Sequence, residues 1–134
     1  MTTPATEEFP LGRELDVVSV RQAARAAMKE MGFGIVDQTK MVTAASELAR
    51  NIVNYGGGGL VRMQQLTVGG RVGLRLAFVD EGPGIADVEL ALTDGYSSGH
   101  GLGLGLGGSR RLVNEFDIVS SPGRGTTVTI TRWR

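Results

Sequence analysis

Residues 53–80 read VNYGGGGLVRMQQLTVGGRVGLRLAFVD, and the spacing of apolar residues changes inside that stretch. Upstream, Met41, Ala44, Ala45, Leu48, Ile52 and Tyr55 recur every three to four residues, the spacing of one buried helix face. The spacing predicts a helix over 36–55, and the four glycines at 56–59 stop it. Downstream, residues 60–68 and 71–80 are separated by Gly69–Gly70, a hairpin signal. In the second strand Val72, Leu74, Leu76 and Phe78 share one face. Ala77 and Val79 are apolar on the other, which predicts a central and largely buried strand. A helix with one apolar face, followed directly by such a hairpin, predicts a helix layered on a sheet.

Outward from this centre the same logic extends the layers. Residues 16–31, DVVSVRQAARAAMKEM, are rich in helix formers and meet glycines at 32 and 34. Before them, EFPLGREL holds a short strand that Pro10 and Gly12 push to a sheet edge, and residues 1–8 read as a flexible tail. After the hairpin, DVELALTDG is a short helix or turn. SRRLVNEF, residues 109–116, reads as a helix with Leu112, Val113 and Phe116 toward a core. DIVSS, the turn PGRG and TTVTITRW form a closing hairpin in which Val128 and Ile130 alternate with threonines. The expected fold class is therefore α/β (α+β): one domain over residues 1–134, with a mixed, mostly antiparallel sheet and helices on one face.

The totals exclude several classes of function. The chain has 134 residues, of which 41% are hydrophobic and 21% charged, as in a folded single domain. Fourteen basic residues balance fourteen acidic ones, so a partner held by non-specific phosphate contacts, above all nucleic acid, is not expected. No cysteine is present, which removes disulfides and thiolate metal sites. The single histidine, His100, cannot build an all-protein zinc site. No apolar run approaches the roughly 20 residues of a membrane span, and the start lacks signal-peptide features. A cytoplasmic protein is expected, with no membrane partner.

Three places carry chemistry. On the second helix, SELARNIVNYG puts Glu47, Arg50, Asn51 and Asn54 within one arc. A carboxylate can take a proton there, and an amide oxygen one turn on is a hard donor suited to Mg²⁺. At the end of the central strand, VDEGPGI puts Asp80 where the sheet stops, above a Gly-Pro-Gly turn. A carboxylate so placed can accept from an exocyclic amine such as that of adenine, and Gly84 lets a flat ring approach. The third place is SSGHGLGLGLGGSRR, residues 97–111, a glycine-rich loop running into a helix. Its formal G-x-G-x-x-G lacks the preceding strand of a dinucleotide fold, and no Gly-Lys-Ser/Thr makes it a P-loop. Backbone N–H groups in such a loop can turn toward a polyphosphate. The alternating leucines argue against a mobile linker.

The order of these three motifs resembles the N, G1 and G2 boxes of the Bergerat-type ATP-binding fold, the superfamily of gyrase, Hsp90, histidine-kinase and MutL ATPase domains. The wording of MGFGIVDQTKMVTAASELARNIVNYG, VDEGPGI and GYSSGHGLGLGLGGSRRLVNEFDI is similar to the small serine/threonine kinases of RsbT type. That resemblance implies a two-layer sandwich with an ATP lid, and ATP and Mg²⁺ as cofactors. It implies transfer of the γ-phosphoryl group to a STAS-domain antagonist or scaffold protein, and activation of a PP2C-type phosphatase once the kinase is released. It also allows a homodimer.

Carried over by position, Glu47 is implied to be the catalytic base and Asn51 the ligand that holds Mg²⁺ against the phosphates. Asp80, Gly82 and Gly84 read adenine, and Gly101, Gly103, Gly105 and Gly108 wrap the phosphates as the lid. Gly125–Thr127 fits the final box, with Thr126 and Thr127 near the nucleotide. Arg50 and Arg111 are available to assist with phosphate charge, and His100 is an exposed bystander. Anti-sigma factors of RsbW or SpoIIAB type share the boxes and the STAS partners but also hold a sigma factor inactive. A histidine kinase would need a phosphoacceptor histidine, for which His100 is badly placed.

Overall fold

The computed structural model describes residues 6–55, 57–80, 106–120, 123 and 125–134. In chain order the elements are β1 (Thr6–Leu11), α1 (Glu14–Glu30), α2 (Ile35–Tyr55), β2 (Gly59–Val68), β3 (Arg71–Asp80), α3 (Leu106–Arg111), β4 (Glu115–Ser120) and β5 (Thr126–Trp133). The strands form one sheet of order β1-β2-β3-β5-β4, and every pairing among the described residues is antiparallel. The expected α+β layering is therefore present.

Local chemistry accounts for most boundaries. Gly69 and Gly70 take φ of 57° and 82°, the backbone of a tight hairpin turn that other residues adopt at a cost. At the start of α1, Asp16 Oδ2 accepts from the backbone N–H of Gly12 at 2.8 Å and of Arg13 at 2.9 Å. Those two donors hold its carboxyl below the ordinary aspartate range. The helix ends where Gly32 turns to φ +84° and the N–H of Phe33 reaches back to the carbonyl of Met28 at 3.0 Å. That reversal drops Phe33 into the core.

One apolar cluster joins the layers. It takes Val17, Val20, Ala24 and Met28 from α1, and Met41, Ala44, Ala45, Leu48 and Ile52 from α2. The sheet contributes Val61, Met63, Leu74, Leu76, Phe78, Val128 and Ile130. Within β2, β3 and β5 these are alternate residues, so one sheet face is buried beneath the helices. β3 is the middle strand, as its two apolar faces predict, while Ala77 and Val79 on its far face are only half-buried.

Two expectations shift. The strand at the N-terminal edge starts at Thr6, inside the stretch read as a flexible tail. Pairing with β2 holds it, together with an Arg62–Glu8 ion pair at 2.7 Å and a Gln64–Thr6 hydrogen bond at 3.0 Å. The helix expected over 109–116 instead spans Leu106–Arg111, and β4 has begun by Glu115. Asn114 makes the change of direction: its N–H donates to Thr131 O at 3.0 Å and its Oδ1 accepts from the Trp133 N–H at 2.6 Å. Leu112, Val113 and Phe116 still pack on the core, but from a turn and a strand.

Candidate active site

At the end of the sheet where β3 stops, the core opens into a recess. It is the continuation of the core face. Leu48, Asn51 and Ile52 come from one face of α2, Phe78 and Asp80 are alternate residues of β3, and Thr126 and Val128 are alternate residues of β5. The sheet register sets Phe78 beside Val128 and Asp80 beside Thr126. Leu106, 3% exposed at the start of α3, closes another wall. The result is an apolar slot with three polar groups, Asn51, Asp80 and Thr126. An apolar lining with a few convergent polar groups is the composition of a small-ligand site.

Three supports were not visible in the sequence. Gly59 faces Asp80 across the β2–β3 pairing, and a Cβ there would lie 2.0 Å from the Val79 carbonyl oxygen and 3.0 Å from Asp80 Cα. Only glycine lets β2 run this close to the residue that carries the carboxylate. In a run of four glycines this one was indistinguishable from the helix stop. Ser120 Oγ lies 2.8 Å from Thr126 Oγ1 and donates to Gly125 O at 3.2 Å, so it pins the threonine from the neighbouring strand. Phe78 floors the slot, although its spacing marked it only as core.

The expected site residues divide by position. Asn51, Asp80 and Thr126 are brought together. Glu47 sits one helical turn before Asn51, outside the slot and 42% exposed, with its Oε1 3.2 Å from Arg50 Nη1. Thr127 is not brought in: strand alternation puts it on the opposite sheet face, in register with Val79 and Val119. Gly108 stands inside α3, exposed and with open space where a Cβ would go. Gly82, Gly84, Gly101, Gly103 and Gly105 lie outside the described residues, as does His100.

The sequence profile of the family described as "Histidine kinase-, DNA gyrase B-, and HSP90-like ATPase" matches residues 36–133, which include every described element of the recess. The chain belongs to that ATPase family. Within this family it is 45% identical over 120 residues to the serine/threonine-protein kinase RsbT of Bacillus subtilis (strain 168), covering 90% of each chain. It superposes on a structure of the RsbU and RsbW domains from Mycobacterium tuberculosis with a TM-score of 0.63 at 24% identity. That match takes 99% of this chain and 33% of the other. A histidine kinase domain from Erythrobacter litoralis gives 0.55 at 20% identity, with 98% and 65% covered. The two structures share the fold. The RsbT-type resemblance read from the motifs, the ATPase fold and the serine/threonine kinase class of enzyme are thereby borne out.

Among the described residues no three histidine, cysteine or acidic side chains converge. Asn51, which lines the recess, carries an amide oxygen, a hard donor of the kind Mg²⁺ takes beside phosphate oxygens and water. The described helices contain none long and apolar enough to cross a membrane.

Proposed function

We propose that this chain transfers the γ-phosphoryl group of ATP to a serine or threonine of a STAS-domain antagonist or scaffold protein, as the switch in a partner-switching pathway. In this reading it works in the cytoplasm, and its released form activates a PP2C-type phosphatase. The observation that carries the reading is the junction at the end of β3. There an apolar slot with Asp80 at its edge lies one helical turn from a half-exposed carboxylate on α2.

Each residue has a separate task. Asp80 accepts a hydrogen bond from the adenine amine, and Thr126 supplies a second polar contact beside it. Phe78, Leu48, Ile52, Val128 and Leu106 hold the ring and exclude water from it. Asn51, a lining residue of the slot, would hold Mg²⁺ through its amide oxygen. The cation, when bound, neutralises charge on the phosphates. Glu47, one turn nearer the solvent, takes the proton from the acceptor hydroxyl and orients its oxygen toward the phosphorus. Phosphoryl transfer is mainly positioning and charge neutralisation, so these groups with the lid glycines suffice.

A direct test incubates the chain with MgATP and a purified STAS-domain protein, and maps phosphate by mass spectrometry. Phosphoserine or phosphothreonine on the partner is expected. Co-purification with a sigma factor instead of a phosphatase would shift the role to an anti-sigma kinase.

A further inference from the structure

Arg50 was available in the sequence as a phosphate-charge residue, but its geometry turns it elsewhere. Its Nη1 donates to Glu47 Oε1 at 3.2 Å, and its Nε lies 3.9 Å from Glu14 Oε1. Glu14 is the first residue of α1, so one guanidinium joins the N-terminal turn of one helix to the reactive turn of the next. We infer that Arg50 is a positioning residue that holds the Glu47 carboxylate for proton transfer, with Glu14 as the outer anchor that fixes the guanidinium. The inference rests on the reading of Glu47 as the base.

The chemistry of the contact supports this assignment. Arg50 engages Oε1 of Glu47, which leaves Oε2 to take the proton of the acceptor hydroxyl. The i, i+3 spacing on α2 keeps the two side chains neighbours in every state in which the helix is formed. All three side chains are more than a third exposed, and ion pairs of that kind contribute at most about 1 kcal/mol to stability. The consequence of the cluster is orientation. A free glutamate samples several rotamers, and a base displaced by about 1 Å can cost on the order of a hundredfold in rate.

The test compares Arg50→Gln, Arg50→Lys, Glu14→Gln, the Glu14→Gln/Arg50→Gln pair and Glu47→Gln. It uses a STAS-domain protein that the wild-type chain phosphorylates, with MgADP affinity measured by calorimetry. Arg50→Gln is expected to lower kcat between about tenfold and a hundredfold, leaving the KM for acceptor and the MgADP affinity within about twofold. Arg50→Lys restores part of the loss. Glu14→Gln lowers kcat less, and adds nothing in the Arg50→Gln background. Unchanged kcat in Arg50→Gln, or full additivity of Glu14→Gln, overturns the inference. So does a large loss of MgADP affinity, which would make Arg50 a phosphate ligand. Glu47→Gln separates the two levels. If it keeps wild-type kcat, the base reading itself fails; if it is inactive while Arg50→Gln is normal, only the positioning role fails.

Discussion

The proposed role of Asp80 follows from where its strand ends. As the last residue of β3 it occupies an inward position, but the core layer has already opened there, so its carboxylate meets the slot instead of Phe78-like packing. Replacing Asp80 by Asn keeps the shape but puts a donor in place of an acceptor oxygen. We expect MgADP affinity to fall by about 1.5–3 kcal/mol, the value of a hydrogen bond to a charged group, as read by calorimetry. Gly59→Ala acts on the same carboxylate through the backbone. A methyl 2.0 Å from the Val79 carbonyl forces β2 and β3 apart beside Asp80, so nucleotide affinity should drop although Gly59 offers no side chain to a ligand. At this scale the sequence revealed the residues whose chemistry is unusual for their spacing: Glu47, Asn51 and Asp80. It hid those whose role lies in a cross-strand neighbour. Gly59 and Ser120 act through partners 21 residues away and at most six residues away, respectively, and no local pattern singles them out. Thr126 and Thr127 were read together because they are adjacent, and strand alternation separates them.

Elements are placed by a few charged and aromatic ties. Arg132 of β5 donates to Asp37 Oδ1 from Nε at 3.0 Å and from Nη2 at 2.5 Å, and to the Leu112 carbonyl from Nη1 at 2.7 Å. Its side chain is 13% exposed, so this tie of α2 to the sheet is screened little by water. Arg132→Met should cost about 2 kcal/mol in denaturant unfolding, because Asp37 and the carbonyl lose their donors. On the far sheet face, the Trp133 ring lies over Gly73, with Arg71 stacked 5.2 Å from its centroid and Glu115 accepting from its indole N–H. A Cβ at Gly73 would meet the ring at 2.6 Å. Trp133 is the sole tryptophan, so Gly73→Ala should shift the intrinsic fluorescence and destabilise the fold by about 1–3 kcal/mol. The helix–strand alternation was legible because α2 and β3 have clean periods. The helix near residue 106 was misplaced because glycines at 107 and 108 argue against helix, and the burial of Leu106 against α2 and the slot outweighs their propensity.

The whole molecule couples pH, ligand and stability. Asp16 has a folded pKa below its ordinary value of 3.8, held there by the N–H groups of Gly12 and Arg13. Its contribution is present above that ordinary value and is lost as pH falls through the lowered folded value. Asp16→Asn should remove that part of the acid-side slope in a pH series of melting temperatures. Ligand linkage tests the site at the same scale. MgATP at about 100 times its dissociation constant should stabilise the fold by about 2.7 kcal/mol, and Asp80→Asn at the same concentration should show much less. In the proposed mechanism the carboxylate of Glu47 takes the acceptor proton while the slot ending at Asp80 holds the nucleotide. The measurement that meets it most directly is phosphosite mapping on a STAS-domain protein after reaction with MgATP and either the wild-type chain or Glu47→Gln, with MgADP affinity measured for both. Phosphoserine or phosphothreonine is expected with the wild type, none above background with the variant, and equal affinities for both. Equal phosphorylation by both, or phosphate on histidine, would contradict it.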